Sequence, residues 1–337
     1  MSTPISTEFT KLFKITSPIV SAPMAYATTP ALVAAVINAG GLGFLGAGNE
    51  PSHKLADAID EARAAVSQDK QHLVGMGFVG WVLDKFNTEA DPRLTTVLNK
   101  SPVAVWFAFG KDLGKYVSQV RAHDATRDHK TLVFVNVNTV EEAVRAANEW
   151  KVDVIVVQGA EAGGRGSTYS PPTQEFLEAV LSAVPNGPLV IAAGGITTGT
   201  QLAATLTAGA SAVVLGTRLL FTPECMFPDE MKKVLVETGP DSTARSPAYD
   251  LAFPPGVWPD GIEARCVNNG VVADYEAGRS PEERKANIAS GQSDYLIVYA
   301  GTGVGDVNEI KSTADVVHGI HEEAVAALKS SGSHLLR

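Results

Sequence analysis

Val154-Ile-Val-Val-Gln-Gly-Ala-Glu-Ala-Gly-Gly-Arg-Gly-Ser167 runs from an unbroken apolar stretch into a glycine-rich segment carrying Gln158, Glu161 and Arg165. Four consecutive apolar residues suit a strand covered on both faces, as in a parallel sheet. Polar groups gathered where such a strand ends, among glycines that let backbone approach a ligand, predict a loop at the rim of a site. An ordinary strand-to-helix turn would look the same if it stood alone. Here the pattern recurs, because Ala193-Gly-Gly195 and Leu215-Gly-Thr217 end two later apolar runs.

Outward from this stretch, apolar runs begin near Pro18, Leu42, Leu73, Val103, Thr131, Val152, Pro188 and Ala212. Their starts lie about 28 residues apart, close to the strand-plus-helix unit of an eightfold barrel of about 250 residues. Helix signals fill the gaps: Thr29-Pro30 opens a helix that Gly40 stops, and Thr139-Val-Glu-Glu142 has capping-box spacing. Strand–helix alternation admits a closed barrel or an open doubly wound sheet, and the count of eight predicts a TIM (β/α)8 barrel. Gly41-Leu-Gly43-Phe-Leu-Gly46 satisfies G-x-G-x-x-G, yet a dinucleotide-binding turn follows a strand and opens a helix. These glycines instead follow a helix and read as the second strand itself.

Beyond Glu237, Gly239-Pro240, Pro247, Pro254-Pro255-Gly256 and Pro259-Asp-Gly261 interrupt any long element. We expect a barrel over residues 1–238 and a smaller, irregular, partly helical lobe covering the site over 239–337. A strand-like run at Tyr295–Tyr299 and an amphipathic helix from about Thr313 to Lys329, packed on the body, complete it.

Composition narrows the function. The 337 residues, 45% hydrophobic, suffice for a large core, and a formal charge of -10 without like-charge blocks argues against a nucleic-acid partner. Cys225 and Cys266 are the only cysteines and stand far apart, so neither a disulfide framework nor a metal site is expected. No apolar run is long enough to span a membrane, and neither a signal-peptide pattern nor a peroxisomal address is read at the ends. The expected setting is cytoplasmic.

In eightfold barrels a cofactor phosphate is often held by the loops after strands seven and eight, where backbone N–H groups and a helix N-terminus face the anion. Gly194, Gly195, Gly216 and Thr217 occupy those loops, with a helix opening near Thr198 to Thr200. Strand one ends in Ala22-Pro23-Met24, and a methionine sulfur packs well on an aromatic ring. Gln158 at the mouth of strand six can hydrogen-bond a heteroaromatic edge or serve as a structural amide.

Taken together, Ala22-Pro-Met24, Gly40–Gly48, Gln158–Gly164, Ala193–Gly195, Leu215–Thr217 and Tyr299-Ala-Gly-Thr-Gly-Val-Gly305 resemble the nitronate monooxygenase family, formerly the 2-nitropropane dioxygenases. The likeness spans nearly the whole chain in order, and the Tyr299 block is similar to class I members. It implies a TIM barrel with a second domain, non-covalent FMN, and oxidation of alkyl nitronates by molecular oxygen. The implied FMN contacts are Ala22, Pro23, Met24, Gln158, Gly164, Gly194, Gly195, Gly216 and Thr217.

Family members generally carry His directly after the Glu-Ala-Gly-Gly segment as the base for neutral nitroalkanes, and this chain has Arg165 there. A guanidinium stays protonated and cannot be that base. Two roles are open to Arg165: a catalytic-site cation holding a nitronate or carboxylate, or an ion pair with Glu161 or a lobe carboxylate that shapes the loop. Alternatives for the whole chain are an NAD(P)H-dependent flavin quinone or enoyl reductase, and a flavin-binding protein without the family's base.

Overall fold

The computed structural model describes residues 3–252 and 257–336. In chain order the strands are β1 (Ile19–Ser21), β2 (Gly43–Gly46), β3 (Val74–Val79), β4 (Ala104–Ala108), β5 (Leu132–Val137), β6 (Val154–Gln158), β7 (Gly164–Ser167), β8 (Leu189–Ala193), β9 (Val213–Leu215), β10 (Thr243–Ser246) and β11 (Ile262–Val267). All but β7, β10 and β11 form one parallel sheet in the order β1-β9-β8-β6-β5-β4-β3-β2. Its ends meet: Val20 bridges Leu42, and Ser21 N–H donates to Leu42 O at 3.0 Å. The result is the expected barrel, each strand beginning one or two residues after the start read from the sequence. Val154 to Val157 are wholly buried, as a strand covered on both faces requires.

The end opposite the strands' C-termini is plugged. Helix Glu8–Phe13 brings Phe9 and Phe13 to 6.2 and 6.0 Å from Phe134, which also meets Phe44 at 5.0 Å and Trp106 at 5.9 Å. Only the C-terminal mouth is left for a ligand. Gly43 and Gly46 lie within β2 after helix Pro30–Asn38, so no dinucleotide turn forms there. Glycine is needed for close packing instead: a Cβ at Gly46 would stand 2.6 Å from Ala25 N.

Several local expectations change. Thr139 caps helix Val140–Asn148 by accepting from Glu142 N–H at 3.2 Å, but the Glu142 carboxylate reaches Asn138 N–H at 2.6 Å. The reciprocal bond therefore falls one residue early. The lobe is more regular than its prolines suggest, since β7, β11 and β10 form an antiparallel sheet. Tyr295–Tyr299 is not a strand; only Tyr299 bridges Cys266. Pro254-Pro255-Gly256 lie outside the described residues.

Helix Thr313–Ser330 packs on the barrel through Val316, Val317, Ile320, Ala324 and Leu328. Its Glu323 carboxylate accepts from Gly199 N–H (2.9 Å), Thr200 N–H (3.1 Å) and the Thr200 hydroxyl (2.7 Å), at the start of helix Gly199–Thr207. Burial opposes the charge, but these bonds outweigh it and hold Glu323 below its ordinary range. A carboxyl with a depressed folded pKa stabilises above its unfolded value of about 4.3 and loses that contribution as pH falls through the folded value. Glu323→Gln should therefore cost under about 1 kcal/mol at pH 7, since the carboxylate is exposed and solvent screens it, a difference that shrinks below about pH 4, as read from urea midpoints. A gap that persists unchanged into acid would refute the charge-based account.

Candidate active site

Nine of the ten residues named from sequence are half-buried at the C-terminal mouth, as groups bordering a concavity should be; Arg165 alone is buried. Gly194 and Gly195 follow β8 with φ of +124° and +72°, a backbone that glycine adopts without strain. Gly216 follows β9, and a Cβ there would lie 3.8 Å from both Ala22 Cβ and Met24 Sδ, so β1 and β9 end against one another. Ala22 N–H donates to Leu215 O at 3.0 Å across the same seam, and Pro23 lies over Gly77 of β3. Among the described residues, none accepts from the N–H groups of Gly194, Gly195, Gly216 or Thr217. These donors, three of them on glycines that carry no side chain of their own, form a cradle suited to an anion such as a cofactor phosphate.

The helix N-terminus expected to share in that cradle does not. Glu323 takes the first N–H groups of helix Gly199–Thr207, and Thr198 Oγ1 accepts from Gln201 N–H. Its positive end is neutralised within the protein, leaving the loops as anion donors. A segment from far along the chain joins them: Gly301 N–H donates to Thr217 Oγ1 at 2.8 Å, and Thr302 N–H to Glu161 O at 3.0 Å.

Both ends of the Gln158 amide are engaged within the protein. Its Oε1 accepts from Asn136 Nδ2 at 3.0 Å, and its Nε2 donates to Arg165 O at 2.9 Å, which fixes where β7 departs from the barrel. A Cβ at Gly164 would meet nothing within 4 Å, so the backbone there borders open space. Arg245 clamps the same segment through Ala162 O (2.8 Å), Gly166 O (3.1 Å) and Glu263 O (2.7 Å). Burial, and then the neighbouring Arg265, pull its guanidinium down to about 10, still charged at neutral pH.

Arg165 sits in β7, not in a loop, and its guanidinium faces the lobe. Nη1 donates to Asp250 Oδ1, the Tyr299 side chain hydrogen-bonds the same cation, and the indole of Trp258 lies 4.4 Å from Cζ. Glu161, the other partner considered, instead accepts from Thr173 N–H (2.8 Å) and Oγ1 (2.6 Å), capping helix Thr173–Ala183. Burial pushes the Tyr299 phenol up to about 12 against the pull of Arg165, so it remains a donor throughout the neutral range. His53 is exposed on helix Ser52–Ala64.

Sequence reading missed three aromatic residues here. Trp258 meets Trp81 edge-on at 5.3 Å and Phe109 at 6.1 Å. Trp81 lies two residues after β3, in helix Gly80–Phe86, and Phe109 directly follows β4, the kind of position that drew attention to Met24, so their signal was available. Asp250 and Trp258 come from a lobe segment without periodicity and carried none. Among the described residues no group of acidic, histidine or cysteine side chains could hold a metal, both cysteines are free and buried, and no helix is long and apolar enough to cross a membrane.

Comparisons with known proteins agree with the barrel fold. The nitronate monooxygenase family model matches residues 6–73 and 83–323. The nitronate monooxygenase npaC of Metarhizium robertsii is 31% identical, over 94% of this chain and 93% of its own. A nitronate monooxygenase of Neurospora crassa is 30% identical, over 92% and 90%. Among solved structures, nitroalkane oxidase from Streptomyces ansochromogenes superposes with a TM-score of 0.77 at 26% identity, covering 96% of this chain and 99% of that one. FabK from Thermotoga maritima gives 0.78 at 24% identity, covering 97% and 99%, a likeness of fold.

Proposed function

Because the chain belongs to the nitronate monooxygenase family and is an oxidoreductase, we propose that it oxidises alkyl nitronates with molecular oxygen, using non-covalently bound FMN. The observation that carries the cofactor reading is the cradle of unengaged N–H groups at Gly194, Gly195, Gly216 and Thr217, with Met24 Sδ beside Gly216. The phosphate would rest on those donors, and the ring would lie near Ala22, Pro23, Met24, Gly164 and the Gln158–Arg165 junction. When bound, the flavin supplies the oxidant for the nitronate and the path for electrons to oxygen, leaving a carbonyl compound and nitrite.

The chain's own part is binding and positioning. Arg165 is already protonated and cannot accept a proton, and a nitronate has already lost the acidic proton of its parent nitroalkane, so the Arg–nitronate combination is chemically consistent. Within this proposal Arg165 is a fixed cation that positions Trp258 and Tyr299 at the edge of the site. The same reading divides the chain into a flavin-binding barrel over 1–238 and a lobe with the C-terminal helix over 239–337. Support for that division comes from the separate apolar cluster of Ala248, Tyr249, Ala264, Cys266, Val271 and Val272.

Anaerobic titration of the purified protein tests the reaction. Ethylnitronate should bleach the flavin absorbance within seconds, while NADPH should leave it unchanged over the same time. Rapid bleaching by NADPH, with none by any nitronate, would transfer the chain to the reductase reading.

A further inference from the structure

In the ring of strands β8 stands opposite β3, and β9 opposite β4. The glycine cradle therefore lies directly across the mouth from Trp81 and Phe109, which follow β3 and β4. These two loops are joined tightly: Trp81 N–H donates to Phe109 O at 3.2 Å, and a Cβ on Gly80 would stand 2.8 Å from Gly110 Cα. Phe109 holds φ of +55°, a left-handed conformation uncommon and strained for a bulky residue. Strain retained at a barrel mouth, in a residue presenting an aromatic ring, points to a role in recognition.

Trp258 completes the wall from the lobe. Its indole is held on the other side by the Arg165 guanidinium at 4.4 Å, itself paired with Asp250. All three rings are half-buried, so each retains a face or edge towards open space. The Trp81 Nε1 donor is buried without an acceptor among the described residues. A buried indole N–H is nearly always paired, and an anionic oxygen is an acceptor that would satisfy it.

Building on the nitronate reading above, we propose that Trp258, Trp81 and Phe109 form the substrate-side wall of the site and select nitronates bearing a flat apolar group, such as an aryl ring, over carboxylate-bearing ones. Arg165 is a positioning residue whose charge is committed to Asp250 and Tyr299 and whose stacking face holds Trp258 in place. With the Trp81 donor taken up by the nitronate oxygens, a second anionic group at this wall would lose its hydration against three rings, whereas a phenyl group gains edge-to-face contacts beyond burial.

The test compares three nitronates, those of nitroethane, 1-nitro-2-phenylethane and 3-nitropropionate, on wild-type protein, Trp258→Phe and Trp258→Ala. Wild type should show kcat/KM at least tenfold higher for the phenyl substrate than for the carboxylate one. Trp258→Ala should raise KM for the phenyl substrate at least tenfold more than it raises KM for ethylnitronate; Trp258→Phe should retain most of the preference. Equal losses on all three substrates, or a wild-type preference for the carboxylate, would overturn the proposal. A separate arm titrates each protein with neutral 1-nitro-2-phenylethane and reads tryptophan fluorescence. If no nitronate is turned over but the phenyl ligand binds at least tenfold more weakly to Trp258→Ala, the reaction reading fails and the wall stands. Absence of such a difference removes the wall whatever the turnover.

Discussion

Gly195→Asp is expected to yield a colourless protein. The added carboxylate would stand in the cradle where we place the FMN phosphate. At an effective dielectric of 20, two unit charges about 5 Å apart repel by about 3 kcal/mol, a loss of roughly a hundredfold or more in affinity. Shape alone must be separated from charge. A Cβ at this position would come within 3.1 Å of Glu161 Cβ, and φ is +72°. Asn matches Asp in size and in tolerance of left-handed backbone, so Gly195→Asn carries the steric burden without the charge. It should lose no more than about tenfold in flavin affinity, a loss of about 1.4 kcal/mol. Equal flavin content in the two variants, measured by absorbance after gel filtration, would remove the phosphate from this loop.

The second large effect concerns proton transfer. Arg165→His should raise kcat/KM for neutral nitroethane about a hundredfold, since a positioned general base typically contributes 10²–10⁴-fold. Asp250, left facing the imidazole, would orient it and raise its pKa, so the new activity should grow as pH rises through about 7 and the ring loses its proton. Ethylnitronate, which needs no base, should change by only a few-fold and serves as the internal control. An unaltered rate on nitroethane, in a variant that keeps its flavin, would show that position 165 does not reach the substrate carbon.

Much of the barrel was legible because its strands are runs such as Val154–Val157, apolar at every position and buried on both faces. The lobe sheet was not, and the reason is physical. Strand β7 consists of Gly164-Arg-Gly-Ser167, which has little intrinsic preference for extended structure; it is a strand because β11, nearly a hundred residues later, pairs with it. Tyr295–Tyr299 errs in the opposite direction, having a strand's composition but only one bridging residue. At the site, the glycines and Met24 could be read from their places at strand ends. The partners of Arg165 could not, since Asp250, Trp258 and Tyr299 converge on it only through the tertiary fold. The helix after β8 carried a clear start signal at Thr198, but nothing local revealed that Glu323 would occupy its N-terminus.

The joining of the two ends of the chain bears on when this protein can fold as it is made. Thr3 O is held by His321 Nε2 at 2.9 Å, and Ser6 N–H donates to Leu335 O at 2.7 Å. The seam between β1 and β9 likewise joins Ile19 to Val213. At a synthesis rate of about 5–20 residues per second, β1 emerges from the ribosome roughly ten to forty seconds before the strand that covers its open edge. The ties at Thr3 and Ser6 must wait longer still, until His321 and Leu335 emerge. During that interval the nascent chain presents an apolar edge, so a chaperone that shields exposed strands is expected to matter more for its yield in cells than the stability of the finished fold.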